Sequence, residues 1–337
     1  MTHELIAILK SFKASDGLGL KSVLITVVAL NGSSYRKPGV RMLLDTHGKM
    51  TGAVSGGCVE KEIQRQAQTV FADDTPVMMT YDGRYRIGCE GLLYILIEPF
   101  QPNLHTIHAL EELIANRAHI ELHSYYQKEK GSLGGMGTEL VLSENQKFGF
   151  SNSALNHRLN KYTQVLPPCF RLFIVGIEHD AQHLCAQAAL LGWEIVVLKS
   201  LDQMHDPAAF PANVCVIGQE ATAISQLNLD SYSAFVLMSH NFAKDLNYLL
   251  QLSYISIPLY IGVLGSKKRM EQLFTDLLER NELVSEEFLD SIHGPAGLDI
   301  KAITPQEIAI SIIGQVIQYQ RAQTLVNTNN HSFITNE

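Results

Sequence analysis

The sequence lacks closely spaced cysteine pairs, long apolar runs and an excess of positive charge. Its five cysteines are scattered, and none forms the C-x-x-C spacing of a zinc site or a redox motif. No apolar stretch reaches the roughly 18 residues that a membrane helix needs. The net charge of −8 argues against a general affinity for nucleic acid or for a membrane surface. These absences predict a soluble protein of a reducing compartment, the cytoplasm.

With 337 residues, the chain is long enough for two domains. In the first half, apolar and β-branched runs predict an opening helix, several strands and one further helix in a small α+β domain. These elements are predicted at 1–16, 22–30, 40–45, 50–54, 59–71, 77–81 and 92–98. A helix and two strands follow in 104–145, and the glycine-rich segment 131–137 is predicted to be a loop between them.

A polar segment rich in Asn and Ser, 146–170, predicts a domain boundary. Beyond it, strand and helix patterns alternate, which predicts a doubly wound parallel sheet and hence an α/β architecture. The predicted domains are 1–160 and 170–325, with a polar tail at 326–337. The run Thr304-Pro305-Gln306-Glu307 predicts the start of the last helix, because it combines a capping box with proline at the first helical position.

Residues 32–63 combine glycine-rich turns, basic residues and a cysteine just before a helical pattern. Glycine lets a ligand approach the backbone closely, and a helix start favours anions and thiolates. The segment therefore predicts a glycine-walled anion pocket with a sulfur at its edge. The candidate binding residues are Ser33, Ser34, Arg36, Arg41, Ser55, Gly56, Gly57 and Cys58.

The cysteines differ in their neighbours. Cys185 and Cys215 lie in apolar runs and are predicted to be small core residues. Cys58 and Cys89 are flanked by glycines instead. For Cys58 the residues leave two interpretations open: a reactive thiol in a ligand pocket, or a thiol buried and inert at a tight turn.

The turn after the first strand of the second half departs from the dinucleotide-binding fingerprint. It reads Gly176-Ile177-Glu178-His179-Asp180-Ala181, where G-x-G-x-x-G/A is expected. Glu178 replaces the glycine that lets a pyrophosphate approach the backbone. Lys199 stands at the end of the next strand, where an acidic residue would hold a ribose. The sequence therefore predicts no tight binding of NAD or NADP in the usual pose.

Other residues of the second half suit an anionic ligand. The run Gly265-Ser266-Lys267-Lys268-Arg269 follows a strand and opens a helix, which predicts an anion site; a solvated basic first turn is the alternative. His179, His240 and His293 fall at strand or loop ends, where doubly wound sheets bind ligands. Each histidine alone is more typical of a hydrogen-bonding residue. Together with Pro295, Gly297 and Asp299, they are candidates for lining a binding cavity, and Gly176 is a further candidate contact.

The chain resembles the XdhC/CoxI family, which comprises accessory proteins of molybdenum hydroxylases such as xanthine dehydrogenase. The resembling segments are 32–43, 53–63, 87–99, 260–270 and 292–312, in the family's order. The resemblance implies an N-terminal α+β XdhC/CoxI domain and a C-terminal Rossmann-like domain that closes over its pocket. Cys89 belongs to a second family signature, in which Glu90 replaces a usual glycine.

The resemblance also implies a function. The protein would bind molybdenum cofactor (molybdopterin) and assist its sulfuration and its insertion into a molybdenum hydroxylase apo-enzyme. A cysteine desulfurase would be the sulfur donor, Cys58 would contact molybdenum or sulfur, and a homodimer would fit the family. A cofactor chaperone is favoured over a turnover enzyme, and whether sulfur transfer is catalysed stays open.

Two alternatives remain at this point. An NAD(P)-dependent oxidoreductase would use the Rossmann-like domain, although the altered turn argues against it. A degenerate, non-catalytic paralogue would act as an interaction module. Departures from the family pattern at Glu90, Glu178, Asn241 and Phe242 favour the second alternative.

Overall fold

The computed structural model describes residues 2–34, 36–55, 59–82, 91–257 and 259–332, with side chains as far as residue 323. The chain forms two compact units, Met1–Cys169 and Phe170–Glu337. Among the described helices, none is both long enough and apolar enough to span a membrane.

The first unit combines helices with antiparallel strands. Its helices are α1 (Thr2–Asp16), α2 (Glu60–Asp73) and α3 (Leu104–Ala115). Its strands are β1 (Ser22–Asn31), β2 (Arg41–Asp45), β3 (Met50–Gly52), β4 (Val77–Asp82), β5 (Leu92–Pro99), β6 (Ile120–Tyr126), β7 (Gly131–Ser132), β8 (Gly137–Ser143), β9 (Gln146–Gly149) and β10 (Asn160–Leu166). The α+β character predicted for this half is confirmed, and so are the predicted helices and strands up to β5.

A six-stranded antiparallel sheet in the order β3-β2-β1-β5-β4-β7 forms the centre of the first unit. Side chains of β1 alternate between its two faces because successive residues of a strand point in opposite directions. Val23 and Ile25 pack with Ile63 of α2 on one face. Leu24 belongs to the core on the other face, which includes α1 and residues of a second sheet, such as Leu122.

The second sheet of the first unit has the order β10-β6-β8-β9. Both of its edge strands lie in the polar segment 146–170, whose composition predicts a domain boundary. The polarity has a structural cause, because an edge strand can leave one face in water: Thr163 and Val165 are exposed, whereas Gln164 and Leu166 are buried. The prediction that 131–137 is only a loop is partly wrong, since Gly131–Ser132 form β7, which pairs with β4.

The second unit alternates strands and helices. Its helices are α4 (His179–Leu190), α5 (Phe242–Leu252), α6 (Lys267–Arg280), α7 (Glu286–Ser291) and α8 (Pro305–Ser332). Its strands are β11 (Arg171–Val175), β12 (Glu194–Lys199), β13 (Val214–Gly218), β14 (Ser233–Leu237), β15 (Tyr260–Val263) and β16 (Ile292–His293). Short 3-10 helices occupy Pro207–Ala209 and Ala221–Gln226.

The six strands of the second unit form one parallel sheet in the order β13-β12-β11-β14-β15-β16. Helices cover both faces: Leu184 of α4 and Ile312 of α8 belong to one core, and Leu249 of α5 and Leu273 of α6 to the other. The predicted doubly wound parallel sheet is therefore confirmed.

Three details of the second unit test the sequence predictions. Cys185 is fully buried, as predicted, and burial raises the pKa of its thiol to about 12. The prediction for Cys215 was wrong, because this thiol is exposed. Cys215 lies on β13, an edge strand of the sheet, where an apolar sequence does not ensure burial.

The last helix extends to Ser332, beyond the predicted start of the polar tail at 326.

The capping box at the start of α8 is confirmed. The Thr304 hydroxyl accepts the Glu307 N–H at 3.3 Å, and a Glu307 carboxylate oxygen accepts the N–H groups of Thr304 at 3.0 Å and Ile303 at 2.7 Å. These backbone N–H groups hold the pKa of the Glu307 carboxyl below its ordinary value. The helix start is therefore closed by reciprocal hydrogen bonds.

We expect Thr304→Ala to lower the free energy of unfolding by about 1 kcal/mol, because it removes the cap of a helix that carries core residues. Urea unfolding followed by circular dichroism measures this. Thr275→Ala is the matched control, since that hydroxyl is exposed within α6 and bonds a carbonyl of its own helix. An equal loss in both variants would contradict the capping role.

Candidate functional site

One end of the six-stranded sheet gathers the predicted loops of the first unit. Asn31, at the end of β1, is opposite Leu92, at the start of β5, and Asp82, at the end of β4, is opposite the same residue. Gly52, at the end of β3, is opposite Met42, near the start of β2. The chain segments 32–40, 53–59 and 83–91 therefore all leave the sheet at this end, which we call the loop end.

Several predicted residues lie in these segments but outside the described part of the chain. They are Gly56, Gly57, Cys58, Cys89 and Glu90. Their assignments stay predictions.

The segment after β1 carries polar side chains beside a close backbone contact. Ser33 is exposed, whereas Ser34 and Arg36 are half-buried. A Cβ atom on Gly91 would lie 2.4 Å from the carbonyl oxygen of Ser33, so only glycine fits there. The structure thus brings Ser33 of the first glycine-rich segment against Gly91 of the third.

Ser55 is held by the first turn of α2. Its N–H donates to a Glu60 carboxylate oxygen at 2.9 Å, and its hydroxyl donates to the other oxygen. The hydroxyl also accepts the N–H of Val59 at 3.3 Å. Glu60 is 9% exposed, so this pair joins Ser55 to the first turn of α2. The predicted ligand contact of Ser55 would compete with these bonds.

Arg41 lies in the interior of the first unit and is 4% exposed. Its Nη1 donates to the Gly39 carbonyl at 3.2 Å and to the side-chain oxygen of Gln164 on β10. Gly39 has φ +95°, and a Cβ there would lie 2.2 Å from Gln164 Nε2 and 2.6 Å from Tyr162 Oη. Arg41 therefore connects the 32–40 segment to the second sheet, a role that the sequence did not reveal.

Glu98 of β5 is a second buried charged residue between the two sheets and is 0% exposed. It accepts hydrogen bonds from the Thr138 N–H at 2.7 Å and the Thr138 hydroxyl at 2.5 Å. Burial raises the pKa of Glu98 to about 7, although these bonds and the attraction of Arg41 oppose the shift. Burial likewise lowers the pKa of Arg41 to about 10. We call Thr26, Arg41, Glu98, Thr138 and Gln164 the intersheet cluster.

The intersheet cluster is incompletely hydrogen-bonded within the described part of the chain. Arg41 Nε and Nη2 and Thr26 Oγ1 are buried without a partner there. Such donors are expected to bind internal water. Sequence reasoning missed Glu98, although a lone acid within the apolar run LLYILIEP was a signal that could have revealed it.

We expect the free energy of unfolding of the wild type to fall as the pH rises from 4.5 to about 7, and we expect Glu98→Gln to remove this fall. A carboxyl whose pKa is raised from 4.5 to about 7 by folding destabilises the folded protein as the pH rises through that window, because the unfolded chain releases its proton first. The full effect corresponds to about 3 kcal/mol, and the amide keeps an acceptor for Thr138. Urea unfolding between pH 4.5 and 7.5 measures it.

The exposed Glu112 of α3 supplies the control for this experiment, since Glu112→Gln is expected to keep the wild-type pH profile. A Glu98→Gln profile that parallels the wild type would contradict the raised pKa.

In the second unit, the strand order reverses between β11 and β14. Gly176 follows β11 with φ +131°, and a Cβ there would lie 2.6 Å from the Met238 carbonyl oxygen. His240, also at positive φ (53°), follows β14, and its Nε2 lies 3.8 Å from Asp180 Oδ2 of α4. The structure thus brings His240 close to the first turn of α4, as expected for strand ends.

The predicted histidines have different contacts, and their shared role in lining a cavity stays a prediction. His179 Nε2 lies 3.1 Å from His183 Nε2 on the same helix. His293 instead stacks on Tyr260, with ring centroids 4.7 Å apart, and burial lowers its pKa. No group of three or more His, Cys, Asp or Glu side chains in the described ranges is arranged to hold a metal ion. Asn241, a departure from the family pattern, caps α5 by accepting the Lys244 N–H.

The basic run at the start of α6 provides fewer free cations than predicted. Gly265 has φ +146°, and the Ser266 hydroxyl caps the helix by accepting the Arg269 N–H at 3.2 Å. Arg269 Nη2 donates to the fully buried Asp245 at 2.9 Å, so this guanidinium has a structural partner. Lys267 and Lys268 remain exposed. Arg269 thus has a structural role, and an anion site at Lys267 and Lys268 stays a prediction.

A cavity of about 780 Å³ lies at the other end of the first unit's central sheet. Its walls include Phe12, Ser22, Phe100 and Asn103, near the start of β1 and of α3. None of the predicted site residues lines it. The loop end and this cavity thus lie at opposite ends of β1.

Family models match both units. Residues 18–82 match the model described as "XdhC and CoxI family", and residues 172–316 match the "XdhC Rossmann domain". Together the two matches cover more than half of the chain. The chain therefore belongs to the XdhC and CoxI family, and the resemblance found in the sequence is confirmed.

Individual relatives match nearly the whole chain. A protein of Bacillus subtilis (strain 168), named as a probable subunit of xanthine dehydrogenase, is 26% identical over 332 residues, which cover 91% of this chain and 95% of the relative. The molybdenum cofactor insertion chaperone PaoD of Escherichia coli (strain K12) is 24% identical over 306 residues, covering 88% and 83%. A crystal structure described as a xanthine dehydrogenase from Bacillus halodurans has a TM-score of 0.75 and 26% identity, covering 94% of this chain and 96% of that one.

Proposed function

We propose that this protein binds molybdenum cofactor and assists its sulfuration and its insertion into a xanthine dehydrogenase-type molybdoenzyme. The names of two relatives support the proposal, one a molybdenum cofactor insertion chaperone and the other a probable subunit of xanthine dehydrogenase. The cofactor is cargo in this proposal, delivered rather than consumed.

The loop end of the first unit is the observation that carries the proposal. Strand register makes three separate glycine-rich segments leave the sheet at the same end. Each of these segments contains residues that the sequence pattern selects as cofactor contacts. A phosphorylated pterin with oxo and sulfido groups on its metal needs several anion donors around one place.

The donor set of the described residues fits such a ligand. Ser33 and Ser34 have hydroxyl groups, and Arg36 has a guanidinium that can bind a phosphate or oxo group through two parallel bonds. Cys58 is proposed as the contact for molybdenum or for the transferable sulfur. Gly56, Gly57 and Cys89 complete the proposed pocket.

Arg41 has a different role in this proposal. Because its guanidinium is buried and bonded to Gly39 and Gln164, it supports the 32–40 segment from the interior. Its bonds hold the segment that carries Ser33, Ser34 and Arg36. We therefore propose Arg41 as a positioning residue and Arg36 as the direct anion contact.

The remaining assignments extend the proposal to partners and to the second unit. A molybdenum hydroxylase apo-enzyme would receive the cofactor, a cysteine desulfurase would donate sulfur, and the protein would act in the cytoplasm as a homodimer. Lys267 and Lys268 are proposed as anion contacts. The other proposed contacts of the second unit are Gly176, His179, His240, Gly265, Ser266 and His293.

We expect the purified protein to retain molybdenum cofactor through gel filtration, measured as pterin fluorescence after oxidation of the bound fraction. Arg36→Ala should weaken retention at least tenfold, since it removes a charge-assisted contact worth roughly 1.5–3 kcal/mol. Adding Cys58→Ala should weaken it further.

Arg65→Ala provides the matched control, because Arg65 is exposed on α2 and pairs with Glu62 of the same helix. It should retain cofactor like the wild type. The proposal is wrong if the wild-type protein retains no pterin, or if Arg36→Ala with Cys58→Ala retains as much as Arg65→Ala.

A further inference from the structure

The turn after β11 contains a carboxylate of its own. Glu178 Oε2 accepts the N–H of Ile177 at 2.9 Å. The same oxygen would lie 2.8 Å from a Cβ on Gly176, so it lies directly against the glycine of the turn. Glu178 is also the N-cap residue of α4 in extended conformation, and its side chain makes no cap bond to the helix. The carboxylate is thus directed back over the turn.

The position of this turn gives the carboxylate its significance. Counted from β11, the parallel sheet has the strand order 3-2-1-4-5-6, which is the order of dinucleotide-binding domains. In that fold the pyrophosphate lies against the turn after the first strand and the N-terminus of the following helix. The Ile177 N–H belongs to that turn. Glu178 Oε2 already accepts the hydrogen bond of this backbone N–H.

We propose that the Glu178 carboxylate blocks the phosphate-binding turn of the second unit and so prevents dinucleotide binding. A bound phosphate would have to displace the carboxylate from Ile177 or accept a like charge at contact distance, and both are unfavourable. The bulk of the side chain adds to the effect, because a dinucleotide needs close backbone approach at this position.

Neighbouring groups hold the carboxylate in place. Gln203 Nε2 donates to Glu178 Oε1 at 3.4 Å. Lys244 of α5 is half-buried, and burial lowers its pKa, while attraction to Glu178, Asp245, Glu220 and Asp202 opposes that shift. Lys244 thus faces a group of carboxylates that includes Glu178. Removal of Glu178 would leave this cation less compensated and better suited to a phosphate.

A single substitution tests the inference. Glu178→Gly turns the run 176–181 into G-x-G-x-x-A, which satisfies the dinucleotide fingerprint. NADH and NADPH are titrated into the full-length protein, and binding is followed by nicotinamide fluorescence. We expect no saturable binding by the wild type and a gain in affinity of at least tenfold for one of the two in Glu178→Gly.

Two further variants make the result decisive. Glu220→Gly is the matched control, since it removes a second N-cap glutamate that attracts Lys244 but lies outside the turn, and it should bind as weakly as the wild type. Glu178→Ala removes the carboxylate without adding backbone freedom and should show a smaller gain. Hydrogen exchange of the Ile177 amide should accelerate in both Glu178 variants.

Saturable wild-type binding equal to that of Glu178→Gly would overturn the inference. So would folded Glu178→Gly and Glu178→Ala proteins that both fail to gain binding, or that both keep the Ile177 amide protected.

Discussion

The register of β1 is the constraint on which the first unit depends. This strand pairs with β2 on one side and with β5 on the other, both antiparallel. Its two neighbours and their partners therefore direct three glycine-rich segments to one end of the sheet. A shift of register by one residue would also exchange the faces of β1 and put Leu24 where Val23 now packs. The same register of β1 is therefore required both for core packing and for bringing the three segments to the loop end.

Much of the local structure could be predicted from the sequence, because the signals are local. The β-branched run of β1 and the Thr304 capping box needed no information from distant residues. The burial of Arg41 and the strands β9 and β10 could not be predicted in this way. Gln164 is 123 positions from Arg41 along the chain, and polar edge strands have the composition of a linker. Cys215 was misplaced for a related reason, since an edge strand keeps its apolar sequence while losing one neighbour.

The two units differ in what their predicted anion-binding residues contact. At the loop end, Ser33, Ser34 and Arg36 are proposed as anion donors, and Ser33 lies against Gly91. In the second unit, the strand order is that of a nucleotide-binding domain, yet several potential anion donors have protein partners. Glu178 occupies the Ile177 N–H, Asp245 binds Arg269, and Ser266 caps its own helix. A shared fold thus does not imply a shared ligand.

Gly39 has a consequence for the evolution of this protein. Its positive φ and its contact with Gln164 and Tyr162 leave no room for a side chain. Residue 39 and the facing positions of β10 are therefore mutually dependent, although more than a hundred residues separate them. A substitution at one position should be accompanied by a compensating substitution at the other. Homologues are therefore expected to show correlated substitutions at these positions.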